Sequence, residues 1–165
     1  MRLRVSLLVL GLVTGSFAVA QAPIARQDPP HIQLLNKTQG RRIVRAISAA
    51  DFEASAETDC SHLVHQLYEQ AGFPYEYASS RDLYFGNASF FRVRSPQPGD
   101  LVVWRGHVGI VTDPRRHAFF SSVSDGPGTQ AYNSAYWRSR GTPRFYRYVV
   151  GKSRGTDSAA AHPDN

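Results

Sequence analysis

The helical and the strand-like hydrophobic patterns of this chain occupy different halves, and this order restricts the fold more than any other feature. Apolar residues recur at intervals of three and four in residues 41–52 and 58–72, which predicts two helices. Runs rich in β-branched and aromatic residues follow at 101–104, 107–112, 117–123 and 144–150. The first two runs, joined by a two-residue break, predict an antiparallel pair. Helices followed by strands indicate an α+β domain, with N-terminal helices packed on a C-terminal antiparallel β-sheet.

The amino terminus has the pattern of a secretory signal peptide over residues 1–20. It has a basic start, an uncharged apolar run over residues 5–13, and small residues at Ala18 and Ala20 before Gln21, which is the order that signal peptides show. The apolar run is too short to span a membrane. We therefore expect an exported protein, periplasmic or extracellular, with no stable membrane anchor.

The remaining 145 or so residues suffice for a single hydrophobic core. Residues 21–39 are polar and carry three prolines, which predicts a linker. We expect the folded domain over residues 40–151. No large apolar residue follows Val150, so residues 152–165 are predicted to form a disordered tail. Within the domain, Gly126-Pro127-Gly128 predicts a loop between the last two strands.

Charge and composition narrow the possible partners. The formal net charge is +6, and a basic protein can bind nucleic acid, an anionic membrane surface or an acidic wall polymer. Export and the scattered placement of the arginines exclude nucleic acid as the expected partner. His62 and His65 supply at most half of a metal-ligand set, so we expect no metal and no cofactor.

Cys60 is the one cysteine of the chain, so no internal disulfide can form in an oxidising compartment. It lies in the first turn of the predicted 58–72 helix, where unpaired N–H groups and the helix dipole favour a thiolate. It shares its helix face with Leu63, Val64 and Leu67, so the sulfur should point inward. Position alone leaves two interpretations open, an inert buried side chain or a nucleophile.

His107 opens the strand predicted at 107–112. Strand alternation places His107, Gly109 and Val111 on one face, and Gly109 leaves room beside the imidazole. A histidine at a strand start is commonly a structural residue, but together with Cys60 it can act as a catalytic base. His62 and His65 fall on the polar side of the cysteine helix and are predicted to be solvated.

Three segments together resemble the NlpC-type family of cell-wall cysteine peptidases, which have a papain-like fold. They are Asp-Cys-Ser-His-Leu-Val at 59–64, Pro-Gly-Asp-Leu-Val-Val-Trp at 98–104 and Gly-His-Val-Gly-Ile-Val at 106–111. The usual forms in that family are D-C-S-G-L-V, G-D-L-V and H-V-G-I. The resemblance extends over roughly residues 41–150. His62 departs from it, since it replaces the customary glycine, and the tyrosine and paired glycines usual before the cysteine are missing.

The resemblance implies hydrolysis of peptide or amide bonds in peptidoglycan stem peptides, commonly between D-glutamate and the diamino acid. Carried over by position, Cys60 attacks the carbonyl, and its backbone N–H helps to hold the oxyanion. His107 takes and returns the proton, and we expect it to form an ion pair with Cys60. Asp59 and Ser61 would shape the substrate subsite. We expect a monomer whose partners are stem peptides. A wall-peptide-binding module that kept the fold and lost turnover is the alternative.

Relatives usually place a histidine, or another polar residue, on the following strand to orient the base. The family's usual apolar-apolar-histidine-small run aligns with Phe-Phe-Ser-Ser at 119–122, which selects Ser121 as the third catalytic residue. His117 lies on the same strand face by alternation and is the second candidate. A water molecule or a backbone carbonyl is the third.

Overall fold

The computed structural model describes residues 31–50 and 59–153 of the chain. The predicted signal peptide lies outside the described residues, as do residues 21–30 of the predicted linker and residues 154–165 of the predicted tail. None of the helices in the described ranges is both long enough and apolar enough to span a membrane.

The described residues form four helices and seven strands. In chain order they are β1 (His31–Leu34), α1 (Lys37–Ala49), α2 (Cys60–Gln70), α3 (Ser80–Phe85), β2 (Phe90–Val93), β3 (Leu101–Trp104), β4 (His107–Asp113), β5 (Ala118–Val123), β6 (Gly126–Ala131), α4 (Ala135–Ser139) and β7 (Arg144–Ser153). The strands pair antiparallel in the order β1-β7-β3-β4-β5-β6, and β2 also pairs with β7. The α+β class predicted from the sequence is confirmed.

The sheet is covered on both faces, which explains why β3 is buried at every position. On one face, Val108 and Ile110 of β4 share a core with apolar residues of α1 and α2. On the other face, Trp104 and Phe119 pack with Trp137 of α4. A strand buried on both sides has a continuous apolar sequence because neither set of alternate side chains meets water.

The cysteine helix is capped by Asp59, whose carboxylate accepts hydrogen bonds from the backbone N–H groups of Ser61 (2.8 Å) and His62 (2.9 Å). It ends near Gly72, which has a φ of 81° and so adopts the left-handed conformation that favours glycine after a helix. The helix predicted over residues 58–72 is therefore found at Cys60–Gln70.

The linker prediction is wrong for residues 31–39, which contain β1 and the first turn of α1. Asn36 and Gln39 form a reciprocal capping box at the start of α1, which stabilises a helix beginning ahead of the predicted boundary. β1 pairs with the end of β7, including Lys152 and Ser153 of the predicted tail. β1 and the end of β7 pair with each other across more than a hundred residues of sequence, which no local pattern reveals.

The loop predicted at residues 126–128 is also wrong, because these residues begin β6. Pro127 pairs with Ser122 of β5. β6 is the last strand of the sheet, and a proline without an N–H is tolerated on an edge strand.

The Gly-Asp segment before β3 is an anchor that fixes the strand in place. The carboxylate of Asp100 is fully buried and accepts hydrogen bonds from Nε (2.9 Å) and Nη2 (2.8 Å) of Arg147 and from the backbone N–H of Gln97 (2.8 Å). Gly99 has a φ of 86°, and a Cβ there would lie 2.5 Å from the Cα of Gly40. This part of the motif therefore holds α1 and β7 against β3.

Candidate active site

Cys60 is the first residue of α2, and its side chain is half-buried against the core between the helices and the sheet. The backbone groups of Val108 in β4, of Cys60 itself and of Ser61 lie close enough to the thiol to act on its pKa. The sulfur therefore lies where the start of α2 meets the start of β4, near Val108, the residue that follows His107.

Burial raises the pKa of the Cys60 thiol above its ordinary value. The hydrogen bonds from the three backbone N–H groups act in the opposite direction, and the nearby carboxylate of Asp59 adds to the increase. The expectation that the helix start lowers this pKa is wrong, because the cost of removing the thiolate from water exceeds the stabilisation that the backbone N–H groups give it.

The imidazole of His107 is enclosed by aromatic rings. Its centroid lies 4.6 Å from that of Trp137, with planes 38° apart, and 6.3 Å from that of Trp104. Burial, followed by the positive charge of Arg140, lowers the pKa of His107 to about 4. The raised pKa of Cys60 and the lowered pKa of His107 both disfavour the thiolate–imidazolium ion pair expected from the sequence.

Ser121 of β5 is fully buried. Its hydroxyl connects the imidazole of His107 to the backbone of Val108. Its Oγ lies 2.6 Å from the carbonyl oxygen of Val108 and 3.0 Å from Nε2 of His107. A carbonyl can only accept, so the hydroxyl donates its one hydrogen to Val108 and accepts from the Nε2–H of His107. This arrangement leaves the basic lone pair on Nδ1.

His117, the second candidate for orienting the base, lies in the turn before β5. It is exposed, has a φ of 56° and places its ring edge against Tyr132, with centroids 5.1 Å apart. Of the two candidates, the structure brings Ser121 to His107.

The space beside Gly109 is filled by the neighbouring strand. A Cβ at this position would lie 2.5 Å from Cδ2 of Phe119 and 2.7 Å from the carbonyl oxygen of Phe120. The glycine therefore allows β5 to approach β4 closely, which brings Ser121 within reach of His107, whereas the sequence suggested room for the imidazole itself.

Asp59 and Ser61, predicted to shape a substrate subsite, form a dense hydrogen-bond cluster at the start of α2. Besides its capping bonds, Asp59 accepts from Oγ of Ser61 (2.7 Å) and from Nδ1 of His62 (2.8 Å). Partial burial alone would raise its pKa, but the hydrogen bonds from His62 and Ser61 prevail and lower the pKa of Asp59 to about 2. Asp59 is therefore an ionised carboxylate over the whole physiological range.

Tyr77 joins this cluster from the loop after α2, and it was not among the site residues predicted from the sequence. Its hydroxyl lies 3.2 Å from Oγ of Ser61 and 3.4 Å from Nδ1 of His62. The rings of His62 and Tyr77 stack, with centroids 4.4 Å apart. His62 is exposed as predicted, but it also packs and hydrogen bonds within the predicted subsite.

A cavity of about 500 Å³ opens beside His107, lined by residues of β5, β6 and α4 and the turns next to them. Its walls include Asp125, Gln130, Tyr136, Trp137 and Arg140. Sequence reasoning assigned no role to these residues, which come from β6, α4 and the adjoining turns.

A half-buried cysteine lies at a helix start, and a histidine held by a buried hydroxyl lies on the antiparallel sheet against which the helices pack. This is the architecture of a papain-like cysteine hydrolase. The sequence matches the NlpC/P60 family over residues 48–144, more than half of the chain. The chain belongs to the NlpC/P60 family, which comprises cysteine peptidases and amidases associated with the cell wall. The resemblance noted in the sequence is thereby confirmed. A comparison with curated proteins gave no match.

Proposed function

We propose that this protein is an exported cysteine hydrolase that cleaves a peptide or amide bond in the stem peptides of peptidoglycan. The observation that carries the proposal is the hydrogen-bond chain from the Val108 carbonyl through Ser121 to Nε2 of His107. This chain leaves Nδ1 free to accept a proton, and the backbone of Val108, the residue after His107, acts on the pKa of the Cys60 thiol.

In the proposed reaction, Sγ of Cys60 attacks the carbonyl carbon while Nδ1 of His107 takes the thiol proton. Because the separated ion pair is disfavoured at rest, proton transfer accompanies formation of the S–C bond. The backbone N–H of Cys60 donates to the developing oxyanion. The imidazolium then protonates the amine of the departing fragment as the C–N bond breaks, which leaves a thioester on Cys60.

The second half of the cycle repeats these roles with water as the nucleophile. Neutral His107 takes a proton from water as the oxygen attacks the thioester, and then returns a proton to the departing sulfur. The product acid is released and the thiol is restored. Ser121 keeps the imidazole in one tautomer throughout, and its lone pair stabilises the Nε2–H of the imidazolium.

Substrate recognition in this proposal falls to Asp59 and Ser61, with Tyr77 as an additional contact. The ionised carboxylate of Asp59 suits an ammonium group of the stem peptide. Nδ1 of His62 already donates to Oδ2 of this carboxylate, so the substrate must share Asp59 with His62 or displace it. His62 therefore distinguishes this subsite from that of relatives with glycine at this position.

The experiment is a digest of purified peptidoglycan, with released fragments identified by mass spectrometry. Wild-type protein should release stem-peptide fragments with a new amino terminus, and Cys60→Ala should release none while keeping its circular dichroism spectrum. Equal release by both proteins would contradict the nucleophile assignment. Retention of wild-type protein on the wall without any release would instead support the peptide-binding alternative.

A further inference from the structure

The wall of the cavity beside His107 carries a charged group that takes no part in the proposed reaction. Arg140 follows α4, and its guanidinium is held over two aromatic rings, 5.9 Å from the centroid of Tyr136 and 5.7 Å from that of Trp137. Its Nη1 also donates to the hydroxyl of Tyr136 (3.3 Å). These contacts give the long side chain a defined position at the cavity wall.

Arg140 has no carboxylate partner at ion-pair distance among the described residues, whose ion pairs involve His62, His65, Arg116 and Arg147. Asp125 lines the same cavity, so its wall carries one formal charge of each sign. An arginine that is positioned but not paired with an acid is suited to bind a carboxylate of a ligand.

The position of the cavity relative to the reacting groups indicates which part of the substrate enters it. His107 forms part of its wall, and in the proposed reaction His107 delivers a proton to the departing amine. The acyl part stays on Cys60, at the end of the site where Asp59 and Ser61 lie. The departing part must therefore lie against His107, on the side of the cavity.

We propose that this cavity is the leaving-group subsite and that Arg140 binds a carboxylate on the residue whose amine is released. The inference rests on the proposed hydrolase function and adds to it the chemical class of the leaving residue, an amino acid with a free carboxylate.

A carboxylate bound to Arg140 would also raise the pKa of His107. The charge of Arg140 is the second cause, after burial, of the lowered pKa of His107. A carboxylate paired with the guanidinium offsets that charge, so substrate binding makes His107 a stronger base. Removal of Arg140 should likewise raise the pKa of His107 in the free enzyme.

The test uses two synthetic stem peptides that differ only in the leaving residue, which carries either a free carboxylate or the corresponding amide. Arg140→Gln should raise KM for the carboxylate peptide about tenfold and leave KM for the amide peptide unchanged. Arg138→Gln, which removes a neighbouring exposed arginine outside the cavity lining, is the matched control and should change neither value. An equal rise in KM for both peptides, or a selective rise in KM for the carboxylate peptide with Arg138→Gln, would overturn the proposal.

A binding measurement separates failure of the subsite from failure of the hydrolase function. Cys60→Ala cannot turn over in the proposed mechanism, so calorimetry reports its affinity for each peptide alone. It should bind the carboxylate peptide about tenfold more tightly than the amide, and the double variant Cys60→Ala, Arg140→Gln should lose this preference. Equal affinities would refute the subsite even if wild-type protein hydrolyses both peptides. A preference without hydrolysis by wild type would support the subsite and contradict the hydrolase function.

Discussion

The two ends of the candidate active site handle charge in opposite ways. At one end, the Asp59 side chain is 56% exposed, and hydrogen bonds lower its pKa to about 2, so it stays charged. At the other end, His107 is enclosed by Trp137 and Trp104, and burial lowers its pKa to about 4, so it stays neutral. The candidate site therefore has a charged end, which we propose is the recognition end for the substrate, and a neutral end, which we propose is the proton-transfer end.

The two ends also differ in how the chain builds them. The recognition end is largely one local segment, residues 59–62, in which a helix cap brings the polar groups together. The proton-transfer end collects side chains from β3, β4, β5 and α4, which meet only when the sheet and its covering helix are complete. The first depends on local hydrogen bonding and the second on long-range packing.

The largest loss of activity should follow removal of the base. His107→Ala should lower kcat on a stem-peptide substrate by about 10³-fold, because general acid–base catalysis contributes on that order. The exposed His117→Ala is the matched control and should keep wild-type kinetics. A large loss in His117→Ala with activity retained in His107→Ala would reverse our assignment of the proton-transfer end.

A smaller loss should follow removal of the residue that orients the base. Ser121→Ala should lower kcat by about 10- to 100-fold with little change in KM, because His107 can then adopt the unproductive tautomer. The Val108 carbonyl also loses its buried donor, which should lower the free energy of unfolding by about 1–3 kcal/mol.

Ser121→Thr keeps the hydroxyl and serves as the conservative variant for this test. It should recover most of the kcat that Ser121→Ala loses. If the two variants are equally slow although both fold, the hydroxyl has no orienting role.

A change at the recognition end should affect KM more than kcat. Asp59→Asn should raise KM about tenfold, since an ammonium group loses its charged partner, while asparagine still caps α2. Asp82→Asn alters a capping acid of α3 away from the cluster and should leave KM unchanged. A drop in kcat at constant KM for Asp59→Asn would show that the two ends are not separate.

The smallest effect should be that of moderate acid on activity. His107 remains neutral above about pH 4, so kcat/KM should change little between pH 7 and pH 5.5 and fall only on approach to pH 4. An acidic limb centred near the ordinary histidine value of about 6.5 would contradict the lowered pKa.

Stability should depend on pH over the same interval. The unfolded chain protonates this histidine near its ordinary pKa, whereas the folded protein resists protonation until about pH 4. The unfolded state thus binds more protons between these values, and acidification through the interval lowers the free energy of unfolding. His107→Gln should reduce this dependence in equilibrium unfolding experiments.

The local features of the fold could be predicted from the sequence. The cysteine helix, which Asp59 caps, and the continuous apolar run of β3 depend on neighbours in the chain, and both elements are found where the pattern indicated. β1 and β6 could not be predicted, since β1 depends on β7 for its pairing and β6 contains Gly126 and Pro127, which locally favour a turn.

The candidate site shows the same division. Alternation along β5 and the matched motif selected Ser121, which the structure places 3.0 Å from His107. Trp137 and Arg140 could not be identified, because helix α4 reaches the site only through tertiary packing. The balance of burial and hydrogen bonding that sets the pKa of Cys60 could likewise not be predicted, since burial is a property of the assembled fold.

Nitrogen-15 NMR of the imidazole of His107 tests the central claim most directly. Protein labelled at histidine nitrogens, with the resonance assigned by its loss in His107→Gln, reports the tautomer and the pKa in one titration. The structure predicts the Nε2–H tautomer at pH 7, with Nδ1 unprotonated and titrating near pH 4. An Nδ1–H tautomer, or an imidazole that is already protonated at pH 6, would contradict the orienting role of Ser121 and the neutral proton-transfer end built on it.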